Sequence, residues 1–525
     1  MNRQRSGRSP FAAAVPDVVV VGAGASGAVL AARLSEDTDR DVLLLEAGPA
    51  HLSAADFGPD LLDARLVPGA RPGHPAVDFW PVRLTPDRPW AVPRGRVTGG
   101  STTVNGGYFV RARRGDFDRW AAAGNPAWAW ERVLPFLRAL ESDLDFGASG
   151  VHGADGPVRV RRGRLGQPAE KALQEAALAL GHPVDPDKND QAPPGFGPVP
   201  SNSVDGVRGN SVLSYLAEEV LARPNLRVIG GCRVRRLTFS GPRATGVVAE
   251  LVGRRIDVEA GAVVVSAGAL ASARLLQLSG VGPRAHLERL GVPVVLDAPG
   301  VGAGFSDHPQ LTLECGTQDA WGEPLDNWMG GCLHLELDGG LGQAEILQSL
   351  VPLTGLVEGR VRVPGAPMAF LVSALAPRRT GRLRLASADP DVPPAVGHGY
   401  LASGEDRARL RAAVRAAAVL LAASALSADG PPAVAPSVLD DDRALDDWIH
   451  GRLGTSQHTC GTVPMGPEGS PGAVVDQFGY VHGLRGLHVA DTSILPDAPQ
   501  RGPAATAVLV GEIAAEALRR DGTGV

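Results

Sequence analysis

Asp17-Val18-Val19-Val20-Val21-Gly22-Ala23-Gly24-Ala25-Ser26-Gly27 is the stretch that decides the fold. Its apolar run has strand length, and an Ala/Leu-rich stretch through Leu34 follows it with helical character. A second apolar strand, Val42 to Leu45, ends at Glu46. Strand, helix and strand make a βαβ unit, which implies a parallel sheet. Each glycine then has a physical task. Gly22 makes the tight turn and Gly24 lets the backbone of Ala23, Ala25 and Ser26 approach a pyrophosphate. Gly27 allows close packing of helix on strand. The helix N-terminus turns its positive dipole end toward phosphates. Glu46, 19 residues beyond Gly27, can accept hydrogen bonds from ribose hydroxyls. A glycine-rich turn without a ligand is the competing reading, and these residues alone do not separate FAD from NAD.

Working outward, 525 residues correspond to two or three domains at roughly 150 residues each. A chain with 44% hydrophobic and 21% charged residues can bury a large core, which excludes global disorder. The 67 glycines and 44 prolines follow no period, so collagen and simple repeats are excluded. A net charge of −6 argues against a general nucleic-acid partner. Cys232, Cys315, Cys332 and Cys460 lie far apart without a CxxC pair, which predicts a reducing compartment and neither a disulfide framework nor a metal site. The run from Val18 leads straight into the glycine turn with no cleavage site between, so no signal peptide is expected. Ala416 to Leu426 is the longest apolar stretch at 11 residues. It reads as a buried helix, too short to span a bilayer. The expected location is cytoplasmic, with a peripheral contact at the inner face of the cell membrane left open.

The expected fold class is mixed α/β: a Rossmann-like nucleotide-binding domain interrupted by an antiparallel-sheet domain. Residues 1–16 read as an arm. Residues 17–157, 205–308 and 455–525 form the nucleotide-binding unit, and 158–204 with 309–454 the inserted one. Residues 181–210 read as a long loop or domain crossing, because Pro, Asp, Asn and Gly dominate them. Strands are expected at Leu226–Ile229, Ala244–Leu251, Val263–Val265 and Leu487–Ala490, and a final amphipathic helix from Ala505.

Three further stretches narrow the reading. The first runs Pro93-Arg94-Gly95-Arg96-Val97-Thr98-Gly99-Gly100-Ser101-Thr102-Thr103-Val104-Asn105-Gly106-Gly107. The second is Ser266-Ala267-Gly268-Ala269-Leu270-Ala271-Ser272-Ala273-Arg274. The third joins His458-Thr459-Cys460-Gly461-Thr462-Val463-Pro464-Met465-Gly466 to Gly486-Leu487-His488-Val489-Ala490-Asp491-Thr492-Ser493. In this order and spacing they resemble the glucose–methanol–choline (GMC) family of FAD oxidoreductases, with smaller matches at Asp307-His308-Pro309 and Gly381 to Pro394. The resemblance implies FAD in an extended pose. Gly22, Gly24 and Gly27 would hold the pyrophosphate, and Glu46 the adenosine ribose. Val97, Gly100, Ser101, Asn105 and Gly106 would lie along the flavin and ribityl chain. Val234 would meet the adenine, and Asp491 and Thr492 the phosphates and ribityl. Pro503, Ala504 and Thr506 would lie near the flavin edge. Some members attach FAD to a histidine just before the loop asparagine. Val104 stands there, so non-covalent FAD is expected.

Oxidising an alcohol by hydride transfer requires a base for the hydroxyl proton, and a histidine suits this because its pKa lies near neutrality. The resemblance gives that role to His458. The other histidines, His308, His398 and His482 among them, read as structural. The family's usual second His or Asn falls on Pro503, which has no hydrogen-bonding side chain. Gln500, Arg501, or a group from the inserted domain could substitute, or His458 could work alone. Cys460 reads as a small buried residue in preference to a nucleophile. The tail Asp497 to Thr506 and the stretch Val104 to Arg113 resemble the mycofactocin-associated branch. That branch implies reduced mycofactocin as the alcohol and a respiratory-chain electron acceptor. An alcohol oxidase producing hydrogen peroxide and a lyase retaining FAD are the alternatives.

Overall fold

The computed structural model describes residues 15–317, 319, 324–375, 378–427 and 431–520. The arm expected over 1–16 lies outside them except for its last two residues. Val18–Val21 is the middle strand of a five-stranded parallel sheet. The order is Leu226–Ile229, Val42–Leu45, Val18–Val21, Ala262–Val265, Leu487–Val489. Val18 pairs with Val42 on one side and Ala262 on the other. The three inner strands are buried at every position, as a sheet covered on both faces requires. Helices Ala25–Leu34 and Ala504–Arg520 pack against each other beside the sheet, and a three-stranded antiparallel meander, Cys232–Ser240, Arg243–Leu251 and Arg254–Glu259, also packs against it. Two strands turn directly into helices, Val21 into Ala25 and Val265 into Ala269. Both turns pass through a glycine with positive φ, Gly22 at 101° and Gly268 at 86°.

The second large sheet is antiparallel. Its order is Gly454–Thr455, Pro309–Cys315, Met368–Ala374, Gly342–Ser349, Met329–Leu337, Phe196–Gly197. Helices Pro168–Ala179 and Gly404–Ala423 pack on it. Ala416 to Leu426, expected as a buried helix, is the end of the 20-residue helix Gly404–Ala423 and a short following turn, buried along one face. Only the stripe Leu410, Ala413, Val414, Ala417, Leu420 and Leu421 is buried, and Val419 is 55% exposed. The stripe follows helical spacing, so the helix is amphipathic. A third sheet takes strands from both expected units: Ala303–Phe305, Gly381–Arg384, Ala395–Gly397, Val77–Thr85 and Arg88–Gly95. Its hairpin delivers Arg94 and Gly95 to the space between the two large sheets. No helix among the described residues is long and apolar enough to cross a membrane.

Candidate active site

One continuous cleft runs from Glu46, past the glycine turn, to His458 and the antiparallel sheet. Three helix N-termini open into it, the first two at its nucleotide end and the third beside His458. Gly24, Ala25 and Ser26 begin the first, Gly268, Ala269 and Leu270 the second, and Pro503 and Ala504 the third. The free N–H groups and dipoles of the first two make a positive terminus suited to phosphate. A β-carbon on Gly22 would sit 2.5 Å from the Ser266 carbonyl oxygen, and one on Gly27 only 1.9 Å from that of Gly22. Gly100, with φ of 53°, faces Gly24 so closely that its β-carbon would fall 2.8 Å from the Gly24 Cα. The two glycine loops therefore pack backbone on backbone, joined by the Gly99 amide donating to the Ala23 carbonyl (2.7 Å), where no side chain could fit.

Glu46 lies buried at the end of its strand and accepts hydrogen bonds from the amides of Ala23 (3.0 Å) and Gly48 (2.8 Å). Burial pushes its pKa up against those amides. Val234 lines the same end. Asp491 accepts from the Gly268 amide (2.8 Å), the Ser272 hydroxyl (2.5 Å) and the Ser493 amide (2.8 Å), and burial raises its pKa. It fixes the second glycine turn while still facing the cleft.

Of the residues predicted from sequence, Gly22, Gly24, Ala25, Ser26, Glu46, Gly100, Ser101, Asn105, Gly106, Val234, His458, Asp491, Thr492, Pro503 and Ala504 line the cleft. Ala23, Gly27, Val97 and Thr506 do not. Ala23 binds Glu46 through its amide, Gly27 packs under Gly22, and Val97 is fully buried in a small core with Val77 and Val104. Thr506 is 1% exposed inside the last helix.

His458 stands where the two large sheets meet. Its amide donates to Asp307 Oδ1 (2.7 Å), and its Nδ1 lies 2.9 Å from Nδ1 of His308, with the rings 86° apart. Its Nε2 takes no protein partner among the described residues and faces the cleft. Burial lowers its pKa to about 4, with Asp307 opposing and Arg94 assisting. It is therefore neutral near pH 7. His308 is buried, and burial together with the His458 charge brings its pKa to about 3. Asp307 accepts from the backbone amides of both histidines. It also accepts from Thr459 (2.6 Å) and Thr455 (3.2 Å) and lies 3.4 Å from His398. Burial would raise its pKa, but the His398 and His458 rings and Thr459 outweigh that and hold it well below the usual carboxylate range.

His308, read from the sequence as structural, is buried outside the cleft lining and meets His458 at Nδ1, so it does not stand in the cleft-side position expected near Pro503. Gln500 donates its amide to Asp116 and Arg501 binds Gln343, so neither meets His458. Gly502 lies between the two rings that matter. A β-carbon there would be 3.0 Å from Tyr108 and 3.3 Å from His458. Cys460 is fully buried outside the cleft with its pKa raised by burial, so it stays a thiol. His482 binds the Gly466 carbonyl at 2.9 Å and remains structural. Sequence reasoning also passed over Gly268 and its neighbours as ligand-facing residues. The signal was a second glycine directly after a buried strand.

A family model described as GMC oxidoreductase matches residues 16–310, and its C-terminal counterpart matches residues 377–511. An uncharacterised GMC-type oxidoreductase from the thcA 5′ region of Rhodococcus erythropolis is 40% identical over 515 residues, covering 96% of this chain and 98% of its own. An oxygen-dependent choline dehydrogenase of Sinorhizobium fredii is 31% identical over 539 residues, covering 95% of each. Among solved structures, pyridoxine 4-oxidase from Mesorbium loti superposes with a TM-score of 0.85 at 27% identity, over 96% of this chain and 99% of that one.

Proposed function

This chain belongs to the GMC oxidoreductase family, and from that premise we propose that it oxidises the CH–OH group of a small-molecule alcohol with non-covalently held FAD. The residues present fit FAD. Two helix N-termini suit the pyrophosphate, Glu46 suits a ribose, and the helix that begins at Pro503 and Ala504 beside His458 suits the flavin edge. When bound, FAD supplies the hydride acceptor. Gly22, Gly24, Ala25, Ser26, Glu46, Val234, Asp491 and Thr492 would hold its nucleotide part. Gly100, Ser101, Asn105, Gly106, Pro503 and Ala504 would hold its flavin part. Ala23, Gly27, Val97 and Thr506 act from behind, by shaping the cleft.

One observation carries the reading: His458 has a free Nε2 in the cleft while its Nδ1 is held by His308. An alcohol whose hydroxyl donates to that Nε2 gives up its proton to a neutral imidazole. For Nε2 to hold the lone pair, Nδ1–H must donate to His308 Nδ1, which places the His308 proton on its Nε2. The Pro499 backbone near His308 favours a proton there, although the contact falls short of a hydrogen bond at Nε2. Asp307 holds the backbone of His458 through its amide, and the His308 contact orients the ring.

The finer assignment is that the alcohol is reduced mycofactocin and the electrons continue to a respiratory acceptor. That would bring a cytoplasmic protein to the inner face of the membrane as a peripheral partner. Its support is the pair of stretches around Tyr108 and Pro499–Thr506, which pack together where Gly502 touches Tyr108. A second reading, an oxidase that returns electrons to oxygen, is favoured by the likeness to pyridoxine 4-oxidase. The visible spectrum of the holoenzyme, recorded anaerobically before and after reduced mycofactocin, tests the proposal. Bleaching of the flavin band supports both the reaction and the substrate. A band that persists with mycofactocin and bleaches with simple alcohols overturns the substrate. A protein that takes up no FAD overturns the whole reading.

A further inference from the structure

Glu345 is the one carboxylate that the antiparallel sheet presents to the cleft among the described residues, beside Leu347 and Leu371. It sits on the central strand Gly342–Ser349, directly opposite His334 in the antiparallel register. Its Oε2 accepts from the Tyr108 hydroxyl at 2.7 Å and lies 2.9 Å from His334 Nε2. Its Oε1 takes no hydrogen bond among the described residues, and the side chain borders the cleft beside Trp328, Leu347 and Leu371. Tyr108 links this carboxylate to the reaction centre, because its ring and that of His458 flank Gly502.

Proton bookkeeping defines what Oε1 can do. Burial, reinforced by Glu345, pushes the Tyr108 pKa well above its ordinary value, so the phenol keeps its proton and donates it. Burial and the nearby Arg501 hold His334 neutral, so it carries one proton, directed from Nε2 to Oε2. Burial raises the Glu345 pKa, opposed by the Tyr108 hydrogen bond and by Arg501 and Lys188; the two donors at Oε2 hold the group as a carboxylate and leave Oε1 as the acceptor on the wall. Cys332 Sγ lies 3.9 Å from His334 Nε2, and with Glu345 the three could resemble a metal ligand set. The surroundings oppose that: burial raises the thiol pKa, and Arg501 and Lys188 already place positive charge around the carboxylate. The same charges disfavour a cationic ligand. A neutral hydrogen-bond donor is what remains.

We propose that Glu345 is a specificity residue, and that the substrate is an alcohol with an apolar body whose end remote from the reacting carbinol carries a neutral donor, a hydroxyl or an N–H. This rests on the alcohol-oxidising reading above. An unpaired buried acceptor is costly, so a substrate lacking the donor should be rejected strongly.

The test compares anaerobic flavin reduction of the holoenzyme by 4-hydroxybenzyl alcohol, 4-methoxybenzyl alcohol and choline, whose quaternary nitrogen has no hydrogen to donate. The expected result is a kcat/KM at least about tenfold higher for the phenol than for either other compound, carried mainly by KM. In Glu345→Gln, whose amide would offer a donor in place of the acceptor, that preference should disappear or reverse. Equal rates for the three alcohols, or faster reduction by choline, overturn the inference and leave the function standing. So does a Glu345→Gln enzyme with the wild-type preference. If that variant fails to retain flavin, the wild-type ratio still decides. Reduction by none of the three, nor by any other alcohol, overturns the function and this inference together.

Discussion

His308 and His458 meet through like atoms, Nδ1 to Nδ1 at 2.9 Å, with nearly perpendicular rings. Like nitrogens can share a hydrogen bond only if one is protonated and the other is not. Of the two arrangements this allows, the one with the proton on His458 Nδ1 leaves Nε2 free as the base. The two residues are 150 positions apart in the chain, and Asp307 binds the backbone amide of each, at 2.8 Å for His308 and 2.7 Å for His458.

Removing the base and removing its partner should differ in size. His458→Ala is expected to lower the rate of flavin reduction by roughly 10²–10⁴-fold, the usual contribution of a positioned general base. His308→Ala removes one orienting hydrogen bond, about 1.4 kcal/mol, and should cost roughly tenfold. Stopped-flow reduction of both variants, with flavin content equal to wild type, checks the ranking.

The pH dependence follows from the neutral state of His458. With a pKa of about 4, the base is free above that pH and occupied below it. The kcat/KM profile should be flat near neutrality and fall as pH drops through about 4. The folded pKa lies below the unfolded value near 6.5, so the ring's contribution to stability is full above pH 6.5 and lost on acidification. A midpoint near 6.5 in kcat/KM would show that the ring is not held in this buried environment.

His152 titrates in the opposite direction. It is fully buried, with Nδ1 2.7 Å from Glu141 and 3.0 Å from Asp143, and Nε2 2.8 Å from Asp187. Burial lowers its pKa, but the hydrogen bonds to Asp143, Asp187 and Glu141 outweigh that and bring it to about 10. With Arg111 and Arg162 it balances three carboxylates. The stability it contributes is complete below pH 6.5 and declines as pH rises toward 10. His152→Ala should cost about 3–5 kcal/mol at pH 6, because it leaves carboxylates buried without their partner. Thermal melts at pH 6 and pH 10 should show the difference between variant and wild type shrinking at the higher pH.

Gly100→Ala should lose flavin before it loses the fold. The new methyl would meet the Gly24 Cα at 2.8 Å, and φ of 53° is strained for alanine. The strain is worth about 1–3 kcal/mol, and the methyl would push apart two touching glycine loops that border the cleft. The ratio of flavin to protein absorbance after purification reads this directly, and full flavin occupancy would contradict the close approach of these loops.

Flavin should leave the protein on acid precipitation, since Val104 offers no nucleophile where some relatives attach it. The absorbance of the supernatant against the pellet measures this.

The sequence by itself determined the parallel sheet, the glycine turn with its acidic strand end, and the candidacy of His458. These are local matters: a buried strand must read as an unbroken apolar run, and a turn that no β-carbon can enter must be glycine. The family motifs add to that because each is short and contiguous. Partners that meet across the fold leave no such trace. His308 looks like any other histidine until the antiparallel sheet beginning at Pro309 is set against the loop of His458, where strand pairing brings Pro309 opposite Thr455. Glu345 becomes a wall of the cleft only because its strand lies between two others and Tyr108 reaches it from the glycine loop. Which acids, bases and acceptors face one another was decided by tertiary packing, because burial and opposition across a sheet belong to pairs of segments and to neither one alone.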